Sequence, residues 1–91
     1  ILFTSGTTGK PRGVVVNHSA LLNYILWACE TYQMTQQDCM PFFSPLTFDF
    51  TITSLICPLL TGGKLVVYDI FQRDYQQIVD SNFLTIAKFT P

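Results

Sequence analysis

The sequence predicts an α/β layer in which mainly parallel strands alternate with helices. Three observations predict it. Short β-branched or apolar runs recur along the chain: "ILFTS", "GVVVNH", "KLVVYD" and "FLTIAKF". Longer stretches between them place apolar residues at helical spacing. Glycine, proline and polar clusters separate the two kinds of segment.

The elements follow in order. "ILFTS" is a short strand running into a glycine-rich stretch, and "GVVVNH" (13–18) is a second strand bounded by Gly13. In "SALLNYILWACETYQ", Leu21, Leu22, Ile25, Leu26 and Cys29 share one helix face, and Asn17 or Ser19 can cap its start. Tyr24, Trp27 and the phenylalanines read as core. "TQQDC" is a polar turn, and "CMPFFSP" is a short buried strand ending at Pro45. A second helix is expected to start near Asp49. Its apolar face would be Ile52, Leu55, Ile56, Leu59 and Leu60, and "TGG" would end it. "KLVVYD" is a strand, "QRDYQQIVDSN" an exposed helix and "FLTIAKF" a last strand.

Composition narrows the function. The chain has 91 residues, 48% hydrophobic and 12% charged, against roughly 25% charged in an ordinary domain. It begins in mid-strand without methionine, which reads as an internal slice of a larger protein. The net charge is −1, and no basic cluster with interleaved aromatics appears, so nucleic acid is not an expected partner. The apolar stretch at 50–63 is shorter than the ~20 residues of a spanning helix, so no membrane is expected either. Cys29, Cys39 and Cys57 lack metal-site spacing, and His18 is the single histidine. Free thiols fit a reducing, cytoplasmic location.

"TSGTTGKPRG" (4–13) concentrates glycines, hydroxyls and cations. Loop glycines let the backbone approach an anion, and successive N–H groups and hydroxyls can then cradle phosphate oxygens. The stretch is not a P-loop, because Pro11 stands where the second glycine would be and Lys10 precedes proline. Nor does it contain G-x-G-x-x-G. A surface hairpin turn of the same composition is the plain structural alternative. The order of residues, "TSGTTGKPRG" followed by "VVVNH", resembles the phosphate-binding signature of adenylate-forming (AMP-binding) enzymes. These include acyl-CoA synthetases, luciferases and nonribosomal peptide synthetase adenylation domains. The resemblance implies that Thr4, Ser5, Gly6, Thr7, Thr8 and Gly9 wrap ATP phosphates, with Lys10, Arg12 and Gly13 completing the motif. The family commonly has lysine at the position of Arg12.

"FDFTITSLICPLLTGGKLVV" (48–67) resembles the segment particular to amino-acid adenylation domains, in which an aspartate holds the substrate α-ammonium. Asp49 fills that position. Read from the residues alone, without the resemblance, Asp49 is a helix N-cap. At about 100° per residue, Asp49, Phe50 and Thr53 lie within roughly a quarter of the helix circumference. In "FLTIAKF", the period of two puts Lys88 on the face of Leu84 and Ile86. A lysine there either snorkels to solvent or meets an anionic or strongly polar ligand. By resemblance, Asp49, Phe50, Thr53 and Lys88 line the substrate pocket, as in domains selecting aspartate or asparagine.

The resemblance thus implies residues 1–91 as part of the large N-terminal subdomain of an adenylation domain, incomplete at both ends. Its cofactors would be ATP and Mg2+, with phosphopantetheine on a partner carrier domain. Its partners would be an amino acid, that carrier and a C-terminal subdomain. The catalytic lysine is expected outside these residues, so the 91 residues alone are expected to be inactive. The alternatives are an acyl-CoA or aryl-acid ligase of the same superfamily, and a non-catalytic binding domain with a relic phosphate loop.

Overall fold

Asn17 sets the first long element. Its side chain accepts the Ala20 N–H at 2.8 Å and the Ser19 hydroxyl at 2.9 Å, capping α1 (His18–Thr31). The computed structural model describes residues 1–4, 9–69 and 75–89. Before α1, β1 (Leu2–Thr4) pairs with β2 (Arg12–Val14), Leu2 opposite Val14 and Thr4 opposite Arg12. This pair is antiparallel, against the expectation of mainly parallel strands. A parallel connection needs a crossover of about a dozen residues or more. Residues 5–11 are too few, so the strands can meet only as a hairpin. The expected strand over 13–18 also stops early, leaving Val15 79% exposed and His18 inside α1.

The other pair is parallel, as expected. β3 (Cys39–Phe42) runs beside β4 (Lys64–Val67), with Cys39 opposite Lys64 and Phe42 opposite Val67. The crossover between them carries α2 (Thr51–Thr61). Gly62 ends that helix in the left-handed conformation at φ 76°. Gly63 lets the chain pass close to the turn before β3, since a Cβ there would stand 2.8 Å from the Asp38 carbonyl oxygen. A short α3 (Tyr75–Val79) follows, with Ile78 buried and Gln76 and Gln77 exposed. The first residues of the helix expected over "QRDYQQIVDSN" lie outside the described residues.

α1 packs on α2, and α2 packs on β3 and β4. Ile25, Ala28, Met34, Met40 and Cys57 form the core, with Leu21, Cys29, Ile52, Ile56 and Ile86 against it. The expected helix faces are only half right. In α1, Leu22, Leu26 and Trp27 are exposed, and Tyr24 is partly exposed rather than core. In α2, Thr51, Thr53, Ser54, Cys57 and Pro58 are buried, while Leu59 and Leu60 are exposed. The buried hydroxyls are satisfied: Thr51 donates to the Pro45 carbonyl at 2.8 Å and shares a 2.9 Å bond with the Ser44 hydroxyl.

The last expected strand, "FLTIAKF", is not formed: Phe83 lies in a turn, and residues 84–89 have no regular secondary structure. Leu84, Ile86 and Lys88 are half-buried and Thr85, Ala87 and Phe89 exposed, so the period of two holds. A side chain replaces the ladder. The Thr85 hydroxyl accepts the Cys39 N–H at 2.9 Å and donates to Asp38 at 2.7 Å. Thr85 N–H then donates to the Cys39 carbonyl at 3.0 Å. These bonds dock the segment on the start of β3 and carry Lys88 alongside α2.

Candidate functional site: a hairpin end and a side-chain cluster at the start of α2

Two clusters hold the residues that the sequence points to. The first is the end of the β1–β2 hairpin. Thr4 and Arg12 form its last strand pair. Ser5, Gly6, Thr7 and Thr8 lie outside the described residues. Gly9 has φ 80°, with no heavy atom within 4 Å of where a Cβ would be. Glycine adopts this left-handed backbone without the strain other residues bear. Lys10 and Arg12 are exposed. The Ile1 and Phe3 side chains lie over Gly13, where a Cβ would stand 3.2 Å from Ile1 Cγ2. Open left-handed backbone beside two exposed cations suits a polyphosphate. Among the described residues, no group of His, Cys, Asp and Glu could hold a metal ion.

The second cluster surrounds Thr53 on the first turn of α2. Thr53 is 1% exposed. Its hydroxyl oxygen accepts from Lys88 Nζ at 3.3 Å and shares a 2.7 Å hydrogen bond with the Tyr24 hydroxyl of α1. Lys88 Nζ also lies 5.0 Å from the centre of the Phe50 ring, within cation–π range. Thus Phe50, Thr53 and Lys88 come together from positions 35 residues apart. Among the described residues, Lys88 has a hydroxyl and a ring but no carboxylate partner. An ammonium so placed attracts an anionic or strongly polar group.

Asp49 stands beside this cluster, exposed. The helix starts at Thr51, not at Asp49, and Phe50 already has helical backbone angles. The Asp49 carboxylate accepts the Phe50 N–H at 2.7 Å, the next residue along, and makes no N-cap bond to the helix. The capping alternative therefore does not account for it.

Behind the cluster, burial pushes the Cys57 thiol up to about 12, and a hydrogen bond and charge from Cys29 push the same way. The nearby Lys88 charge opposes them. Cys57 is a neutral thiol of the core at neutral pH. Sequence reasoning missed the contact of Tyr24 with Thr53. Its place on a helix face carries no signal for a partner, because the bond exists only once α1 packs on α2.

Comparison with known proteins gives the family. The model of the AMP-binding enzyme family matches residues 1–91. A mycosubtilin synthase of Bacillus subtilis is 38% identical over 93 residues, covering all of this chain and 4% of that protein. Tyrocidine synthase 3 of Brevibacillus parabrevis is 38% identical over 94 residues, again covering the whole chain and 1% of its own length. The chain thus spans a few per cent of the length of these relatives. Among solved structures, the Klebsiella oxytoca NpsA N-terminal subdomain in complex with 3-hydroxyanthranilyl-AMSN matches with TM-score 0.78 and 25% identity. That match covers 94% of this chain and 23% of the other. The α/β fold with its parallel β3–β4 pair is that of such an N-terminal subdomain, and the chain belongs to the AMP-binding enzyme family.

Proposed function

We propose that residues 1–91 are part of an amino-acid adenylation domain within a larger nonribosomal peptide synthetase. The intact enzyme would convert an amino acid and ATP to aminoacyl-adenylate and pyrophosphate. The observation that carries the substrate side of this reading is Lys88 Nζ on the Thr53 hydroxyl, over the Phe50 ring. Those groups suit a short side chain ending in a carboxylate or an amide, as in aspartate or asparagine. Asp49, exposed at the edge of the same cluster, would take the α-ammonium.

At the hairpin end, Thr4, Ser5, Gly6, Thr7, Thr8, Gly9 and Gly13 would cradle the nucleotide's phosphates, with Lys10 and Arg12 neutralising charge on them. ATP supplies an electrophilic α-phosphorus. The substrate carboxylate oxygen bonds to it while the bond to pyrophosphate breaks. No protein nucleophile is required, so these residues act by positioning and charge neutralisation. Mg2+ would arrive with the nucleotide. A phosphopantetheine thiol on a carrier domain would then accept the acyl group. A reducing cytoplasm suits the three free cysteines, and among the described residues no helix is long and apolar enough to cross a membrane.

A second reading is an aryl-acid ligase, favoured by the aryl ligand named for the NpsA complex. Amino-acid-dependent exchange of pyrophosphate into ATP by the intact enzyme separates the two. Exchange peaking with aspartate or asparagine, and lost in D49A, supports the first reading. Exchange only with acids lacking an α-amine, insensitive to D49A, supports the second.

A further inference from the structure

We infer that Tyr24 of α1 is a positioning residue for the substrate pocket, holding the Thr53 hydroxyl in place against Lys88. The inference rests on the pocket reading above and extends it to a helix that the reading does not use.

An ammonium has donors and no acceptor, so Thr53 Oγ1 must accept from Lys88 Nζ at 3.3 Å. Thr53 then keeps one proton and one further lone pair. At 2.7 Å, the Tyr24 hydroxyl can satisfy either, since each oxygen is both donor and acceptor. Thr53 is buried, so whether Tyr24 donates or accepts, its hydroxyl acts on the substrate through the Lys88 ammonium that it holds. In both cases the Thr53 oxygen stays where Lys88 meets it.

Nothing else on the described chain does this work. Thr53 is 1% exposed, so water cannot readily replace the tyrosine. The Tyr24 ring itself is held by its neighbour, with the Trp27 ring centre 5.9 Å away. The Asn17 cap fixes the start of the helix that carries both. The position of α1 is thereby transmitted to the side-chain end of the pocket through a single oxygen.

The test uses the intact enzyme, with Y24F, T53V and the double variant, in the pyrophosphate exchange assay. Y24F removes that oxygen and keeps the ring. It is expected to raise the KM for aspartate or asparagine about three- to tenfold, the loss of one hydrogen bond. The kcat and the KM for ATP should not change, which a general loss of folding would not spare. In the T53V background, Y24F should add nothing further. An unchanged amino-acid KM in Y24F, or effects of the two substitutions that simply add, would overturn the role of Tyr24 and leave the pocket standing. A wild-type enzyme whose exchange peaks with an apolar amino acid would overturn the pocket reading and this inference together.

Discussion

At the hairpin end, Gly9, Lys10 and Arg12 are exposed, and the special feature is the left-handed backbone of Gly9 at φ 80°. At the start of α2, Thr53 is 1% exposed and its hydroxyl touches two other side chains from distant parts of the chain. The first region is suited to recognise through backbone and charge. On the proposed reading any nucleoside polyphosphate would meet those needs equally, so this end would serve whichever acid the intact enzyme takes. The second is built from interlocked side chains whose chemistry changes with each residue. On the proposed reading, the difference teaches that one end would supply the reaction and the other would choose what reacts.

Substitutions can break the two ends separately. The largest expected effect is at the pocket. K88M removes the ammonium and leaves a stem of similar length. Truncating one partner of a buried hydrogen-bonded charge pair costs about 2–5 kcal/mol. The kcat/KM for aspartate should therefore fall about 30-fold or more, with the KM for ATP unchanged, as steady-state exchange kinetics would read.

Next comes the hairpin end. Gly9→Val forces a β-branched residue into the left-handed region, a strain of about 1–3 kcal/mol. A Cβ there meets nothing, so backbone conformation alone is at issue. The KM for ATP should rise about tenfold, without change in which amino acid is preferred. Gly9→Asn, which tolerates this conformation better, should recover most of the loss. A change of amino-acid preference in Gly9→Val would erase the division between the two ends.

A smaller effect sharpens the role of α1, which links them in sequence. N17A removes the side chain that accepts the Ala20 N–H and should lower the unfolding free energy by about 1 kcal/mol in denaturant titration. The last effect is confined to acid. Asp38 accepts the Thr35 N–H and the Thr85 hydroxyl, and these bonds, the backbone one foremost, hold its carboxyl below the ordinary 3.8. A folded value lower than the unfolded one stabilises the fold above about 3.8, and that contribution fades as pH falls through the folded value. Thermal melts from pH 6 to 2 should show wild type losing this contribution and D38N lacking it throughout. Because Thr85 docks the segment bearing Lys88, D38N should also modestly raise the KM for the amino acid.

The same two regions differ in how much the sequence could tell. The order of residues in 4–13 resembles a phosphate-binding signature, and a loop of glycines and charge would carry such chemistry locally; of it the structure describes Thr4 and residues 9–13. Mainly parallel strands were expected, with no pairing assigned to the two strands around it; the short span from Thr4 to Arg12 permits only a hairpin. At α2, Phe50, Thr53 and Lys88 were found, but the helix face was assigned by hydrophobicity. Thr51, Thr53 and Ser54 are buried instead, because Pro45, Ser44, Tyr24 and Lys88 supply hydrogen-bond partners for the two threonines that no periodicity reveals. The alternation of 84–89 was legible, whereas its docking by the Thr85 hydroxyl was not, since a side chain there takes the place of a strand ladder. Tyr24 was hidden for the same reason.

The most direct test of the division is the amino-acid profile of pyrophosphate exchange in the intact enzyme, wild type against K88M. The account predicts a wild-type peak at aspartate or asparagine that moves in K88M to apolar amino acids of similar size, with the KM for ATP unchanged. A profile that keeps its peak in K88M, or an ATP KM that rises together with the loss of aspartate, would contradict it.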